Sequence, residues 1–181
     1  MSTQSGAGAA DHAEIPAWVE GRLVAVDKLE AHRRGLLHKA VSVFVLHGEE
    51  LLIQRRALGK YHTPGLWANT CCTHPHWDEA PRDCARRRLF EELGLRGLAL
   101  THRDRVTYRA EVGGGMIEHE RVDIFTARVA RKLEPRPNPA EVMETDWIGL
   151  EDLAARTREA PERFTPWLRI YLERHAGQIF G

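Results

Sequence analysis

Cysteine is scarce in this chain, aromatic residues are few, neither sign of charge prevails, and no apolar run is long. Each absence excludes something. The three cysteines include the adjacent pair Cys71 and Cys72, which rules against a disulfide framework and points to free thiols in a reducing cytoplasm. Lys plus Arg and Asp plus Glu both number 26, and aromatics make up 7%, so no overall field recruits nucleic acid or a membrane surface. Any anion site must be local. Apolar runs such as Ala40 to Leu46 fall far short of the roughly 20 residues that span a bilayer, so a soluble protein is expected. The N-terminus carries neither the basic nor the apolar segment of a secretory signal. Its small polar residues read as a disordered lead-in, placed over residues 1–19, ahead of a single domain over 20–181.

Histidine, by contrast, is abundant: the chain has 10, several beside Cys or Glu, which makes metal binding a reading to test. Gly21 to Val26 reads as a short strand, followed by a polar stretch with His32 and His38. Ala40 to Leu46 reads as a buried strand that turns back through His47-Gly48-Glu49 into Leu51 to Arg55. Past Pro64-Gly65, one short strand is expected over Trp67 to Cys72. The clearest helix runs from Asp78, as N-cap, to Leu93, with Pro81 in its first turn, Gly94 as its stop and Ala85, Leu89 and Leu93 as its buried stripe. Leu98 to Ala110 and Met116 to Val129 form a second hairpin through Gly113-Gly114-Gly115. Beyond Pro135, Pro137 and Pro139 come a strand at Val142 to Ile148 and helices at Leu150 to Arg156 and Glu162 to His175. Strands on both sides of one strong helix imply an α/β or α+β sandwich with a mixed sheet.

From the residues alone several readings stay open. The helix with Arg87, Arg88, Glu91 and Glu92 is either a salt-bridged surface or a carboxylate set for a hard cation. Cys72 is a packed thiol or an acid/base group, while Cys71 faces the other side of its strand and Cys84 is structural. Glu118 and Glu120 share one strand face and His119 takes the other, so the carboxylates are either exposed edge residues or a metal-binding pair. Arg55-Arg56 is a solvated strand end or an anion site, and Trp167 a core aromatic or a face for a cation. His47, His62, His76, His102 and His175 read as solvated or hydrogen-bonded surface residues.

The spacing of Glu79, Arg87, Leu89, Glu91, Glu92 and Gly94 resembles the Nudix box, a loop and helix that hold a divalent cation against a diphosphate. Two positions depart from it. Arg88 stands where hydrolases carry a glutamate, and Thr73 replaces the opening glycine. A guanidinium neither binds Mg²⁺ nor accepts a proton from water, which argues for a diphosphate kept intact. Trp67-Ala68-Asn69-Thr70-Cys71-Cys72-Thr73-His74-Pro75, Tyr108-Arg109-Ala110, Glu118-His119-Glu120 and Phe164-Thr165-Pro166-Trp167 together resemble the metal-dependent isopentenyl-diphosphate isomerase family. The resemblance spans about Lys28 to Trp167.

That resemblance implies a Nudix-type sandwich, a mixed β-sheet flanked by helices. It implies Cys72 and Glu120 as opposed acid/base groups, Tyr108 assisting near Glu120, and Trp167 facing a carbocation-like intermediate. His32, His38, His74, Glu118 and Glu120 would hold Mn²⁺ or Zn²⁺, although His32 and His38 stand one residue closer than in the family pattern. Glu92 and the backbone carbonyl of Cys72 would hold Mg²⁺ with the substrate diphosphate, and Lys28, Arg56, Lys60 and Arg88 would bind that diphosphate. The expected partner is a small isoprenoid diphosphate, with no nucleic acid or membrane, on a monomer or dimer. A Nudix hydrolase of a nucleoside diphosphate derivative and a non-catalytic Nudix-like binding domain are the competing readings.

Overall fold

A computed structural model describes residues 13–181. Its first strand, β1 (Glu14–Val19), pairs along its length with β2 (Arg22–Asp27) and touches β3 (His38–His47) at Ala17 opposite His38. This corrects the lead-in: residues 14–19 are a strand whose Ile15 and Ala17 are buried. Pro16, which strands tolerate poorly, concealed it. The remainder of the expected lead-in, residues 1–12, lies outside the described residues.

The polar stretch around His32 is also more regular than expected, being helix α1 (Lys28–Arg34). Asp27 caps it by accepting the Glu30 amide at 3.0 Å, and Gly35 ends it at φ 61. An Asp cap followed by a Gly stop is a legible helix signal.

β3 is buried on both faces, as a continuous apolar run predicts. Val41, Val43 and Val45 pack toward helix α2 (Pro81–Leu93), and Ala40, Phe44 and Leu46 pack toward the C-terminal helices. β4 (Glu50–Arg56) turns back from it and pairs with β9 (Val142–Gly149). The expected strand at Trp67 to Cys72 is two strands. β5 (Trp67–Ala68) pairs with β4, and β6 (Cys71–Thr73) crosses to pair with β3. Side chains take over the ladder at the crossing: Asn69 donates to the Val43 carbonyl at 3.0 Å, and Thr70 accepts from the Val45 amide at 2.9 Å. The glycine hairpin joins β7 (Thr101–Gly113) to β8 (Met116–Arg128), and β8 lies parallel to β3 from His38↔Glu120 to Leu46↔Arg128. The sheet is therefore mixed, as expected.

Helix α2 begins at Pro81, not at an Asp78 cap. Proline excludes the helical region for the residue before it, and Ala80 accordingly sits at φ −67, ψ 141. Asp78 has a positive φ of 62 in the preceding turn. The expected stripe of Ala85, Leu89 and Leu93 is buried, and Gly94 ends the helix. Helix α3 (Leu150–Glu159) runs one turn beyond the expected Arg156. The long terminal helix is interrupted for the same reason as α2: Pro166 holds Thr165 extended at ψ 145. A short 3-10 turn (Pro161–Arg163), α4 (Pro166–Arg174) and α5 (Ala176–Phe180) result. Among the described residues no helix is long and apolar enough to cross a membrane.

Candidate active site

Strand register alone brings five of the predicted residues to one face. Directly paired residues point the same way, and the ladders pair His38 with Glu120, Ser42 with Cys72, Tyr108 with Glu120 and Ala110 with Glu118. His38, Ser42, Cys72, Tyr108, Glu118 and Glu120 therefore share the face that α4 covers with Trp167 and Tyr171. Cys71, paired with Val43, goes into the opposite core. A cavity of about 280 Å³ opens there, lined by Cys72, His74, Glu118, Glu120 and Trp167 and reaching Arg56, Lys60 and Arg88. That size suits a small ligand.

His32, His38, His74 and Glu120 present ligand atoms close enough to share an ion, and so do His32, His62 and Glu118. Of the five ligands implied for the transition ion, His32, His38, His74 and Glu120 fall in the first of these groups, and Glu118 falls in the second beside His62. His32 lies in α1, which stops at Gly35, and His38 opens β3 three residues later. His62 is a correction, since it is buried, not on the surface. The chemistry of these donors fits a cation. His32 Nδ1 donates to the Lys28 carbonyl at 2.6 Å and His38 Nδ1 to the Leu36 carbonyl at 2.8 Å. Each ring thereby turns Nε2 inward; the buried His38 Nε2 has no hydrogen-bond partner, and the Tyr61 hydroxyl lies 3.5 Å from the His32 Nε2. Opposite stand carboxylates: Glu120 Oε1 is 2.9 Å from His74 Nε2 and 3.5 Å from His38 Nε2, and Glu118 Oε1 is 3.0 Å from His62 Nε2. Lone pairs facing anions need either a proton or a cation between them.

The titration agrees for three of the four imidazoles. Burial lowers His32 to about 4, aided by His38, and burial lowers His62 and His74. Burial works against a charged His38 as well, yet Glu120 holds its pKa above the ordinary 6.5. Burial raises both carboxyls, but the imidazoles outweigh it and leave Glu118 and Glu120 below their ordinary value. Behind them the Tyr108 hydroxyl lies 2.6 Å from Glu118 Oε2 and 2.7 Å from Glu120 Oε2. One phenolic proton serves two carboxylates and leaves both Oε1 atoms to the imidazoles.

The Cys72 thiol is held by its own network. It donates to Asn69 Oδ1 at 2.9 Å, and Ser42 Oγ lies 3.0 Å from Sγ and 2.9 Å from the Tyr171 hydroxyl. Burial pushes the thiol pKa far up, despite Ser42, so Cys72 keeps its proton at neutral pH. Ser42 and Tyr171 escaped sequence reading, because only register and the packing of α4 bring them to the thiol.

At the other end of the cavity stand the basic residues. Arg56 is buried, donates to the His62 carbonyl at 3.1 Å and lies over the Trp167 ring at 5.2 Å. Arg56 is therefore no solvated strand end. Lys28 Nζ lies 4.5 Å over the Tyr61 ring. Lys60 and Arg88 converge on Glu141, at 2.5 and 3.3 Å, a carboxylate that nothing in its sequence setting singled out. Glu92 is buried behind them. Its Oε1 accepts from Arg88 at 2.7 Å and its Oε2 from Gln54 at 2.8 Å, so both oxygens are engaged and Glu92 joins neither ion-binding group found among the described residues. The predicted pairs Arg87 with Glu91 and Arg88 with Glu92 are formed. His47 and His175 are half-buried, and His76 and His102 are exposed.

The NUDIX domain family model matches residues 36–168. Solved structures share the fold at low identity. A protein of Deinococcus radiodurans superposes with TM-score 0.71 at 18% identity, covering 89% of this chain and 98% of its own. A MutT NUDIX hydrolase from Burkholderia pseudomallei gives 0.60 at 22%, covering 77% and 98%. Sequence relatives are much nearer. The isopentenyl-diphosphate Delta-isomerase of Cereibacter sphaeroides is 65% identical over 92% of this chain and 94% of its own length. The proteins of that name from Dinoroseobacter shibae and Ruegeria pomeroyi are each 64% identical over 92% of this chain, covering 95% and 93% of their own lengths. With the domain match, the shared fold and identity at this level over nearly the whole chain, this protein belongs to the isopentenyl-diphosphate Delta-isomerase family of NUDIX-domain proteins.

Proposed function

We propose that the chain interconverts isopentenyl and dimethylallyl diphosphate by adding a proton to one alkene carbon and removing one from the carbon next to it. The observation that carries this is the placement of Cys72, Glu120 and Trp167 around one cavity whose far end carries Arg56, Lys60 and Arg88. An unactivated alkene has no carbonyl to store charge, so its isomerisation passes through a carbocation-like species and needs one group to give a proton and another to take it. Cys72 holds a proton and Glu120 is ionised, so the resting site presents one acid and one base. Asn69 and Ser42 fix the thiol. Tyr108 meets the cavity through the two glutamates and can pass a proton to Glu120. The Trp167 ring offers an electron-rich face to the developing cation, and the basic residues offer donors to the diphosphate.

A mixed nitrogen and oxygen donor set of His32, His38, His74, Glu118 and Glu120 suits Mn²⁺ or Zn²⁺. The ion would fix Glu120 and supply positive charge beside it. Glu92 with the Cys72 carbonyl would hold the Mg²⁺ that accompanies the diphosphate, provided that Arg88 or Gln54 gives way. The deciding experiment is incubation of the purified protein with isopentenyl diphosphate and Mg²⁺. Dimethylallyl diphosphate is the expected product, and phosphate release without it would overturn this reading in favour of hydrolysis.

A further inference from the structure

His62 sits in the loop between β4 and β5, outside the ligand set that the family resemblance implies. It is nonetheless 4% exposed, and its Nε2 is buried with no hydrogen-bond partner, aimed at Glu118. We propose that His62 is a further ligand of the transition-metal centre through Nε2, so that four imidazoles and two carboxylates surround the ion. This rests on the reading of that centre given above.

Distances support direct ligation. Two donors each ~2.1 Å from one ion lie about 3.0 Å apart at a right angle. His62 Nε2 and Glu118 Oε1 are 3.0 Å apart, and His74 Nε2 and Glu120 Oε1 are 2.9 Å apart. The two ion-binding groups share His32, whose Nε2 has a single lone pair and serves one ion at a time. The six donors stand as two groups joined at His32, so a single six-donor shell would require the ion to draw both groups in around that shared ring.

The loop is built to aim this ring. His62 Nδ1 lies 3.0 Å from Thr63 Oγ1, and donation to that hydroxyl leaves Nε2 free for a cation. Thr63 holds that place at φ 46, an uncommon conformation for a β-branched residue that persists where surrounding structure enforces it. Arg56 anchors the His62 carbonyl, and Trp167 packs edge-on to the ring at 5.7 Å. Metal loading would therefore also fix the loop that carries Lys60.

The test uses the full chain, stripped with a chelator and titrated with Mn²⁺ and separately with Zn²⁺, as wild type, His62→Ala, His62→Gln and His74→Ala. His62→Ala and His62→Gln are expected to weaken binding by roughly 10- to 100-fold. X-ray absorption of the loaded proteins should count four imidazoles in the wild type and three in either His62 variant. Circular dichroism identifies a variant that has not folded, and the glutamine variant, closer in size, then carries the comparison. Three imidazoles in the wild type, or an unchanged count and affinity in a folded His62 variant, would overturn the assignment of His62 alone. Wild-type protein that binds neither ion better than His74→Ala would overturn the whole centre.

Discussion

A buried imidazole whose Nδ1 proton goes to a carbonyl has only a lone pair to offer on its other side. His32 is in that state, whereas His38 also spends Nδ1 on a carbonyl but has Glu120, which favours its charged form, 3.5 Å from Nε2. The same attention to single atoms applies to the thiol. Cys72→Ala should lower kcat by about 10² to 10⁴ while the melting temperature moves little, and near-normal turnover would remove Cys72 from the chemistry. Tyr171 is hydrogen-bonded to Ser42, which in turn contacts the thiol, so it is a positioning residue. Tyr171→Phe should cost about one hydrogen bond, roughly 5-fold in kcat, with KM unchanged. A rise in KM at constant kcat would instead mean that Tyr171 shapes the cavity. That Cys72 and Glu120 belong to one candidate site was legible from their motifs, and both line the same cavity. His62 was not, because Lys60-Tyr61-His62-Thr63-Pro64 has no ligand spacing and only the fold of its loop brings it to Glu118.

At the scale of elements, proline decided where helices start. Pro81 and Pro166 shortened two of them from the boundaries that charge and periodicity implied, since each holds its predecessor extended. The turn before α2 is pinned by Glu79, which takes Arg87 at 2.7 and 2.8 Å and the His76 amide at 2.9 Å. The Arg87 guanidinium, outweighing partial burial, depresses Glu79 from 4.5 to about 2. A carboxyl whose folded pKa is lowered contributes stability above its unfolded value and loses it as pH falls from there through the folded one. Glu79→Gln should therefore reduce the melting temperature by roughly 2 to 4 °C at pH 7, for a pair worth up to ~1 kcal/mol. The difference should close between pH 4.5 and about 2. A deficit that is constant down to pH 2 would assign the effect to packing.

For the whole molecule, the residues that could hold a metal come from parts far apart in sequence: α1, the start of β3, the loop after β4, the residue after β6 and the first half of β8. An ion bound there stabilises only the folded state, by about 2.7 kcal/mol at a hundredfold excess over Kd. Chelation should then lower the melting temperature by roughly 5 to 10 °C, and restoring Mn²⁺ or Zn²⁺ should reverse it. Equal melting with and without chelator would mean that the histidines are not holding an ion in the purified protein. The sequence by itself determined the buried strands, the charged helix with its Arg88, the opposite faces of Cys71 and Cys72, and the shared face of Glu118 and Glu120. Local periodicity and side-chain alternation are enough for those. Only the tertiary structure decided that His62 joins the histidines, that Ser42 and Tyr171 hold the thiol, that Glu141 gathers Lys60 and Arg88, and that Glu92 is engaged by Gln54. Those contacts depend on strand register and on loops crossing between strands, which pairwise spacing along a chain does not encode.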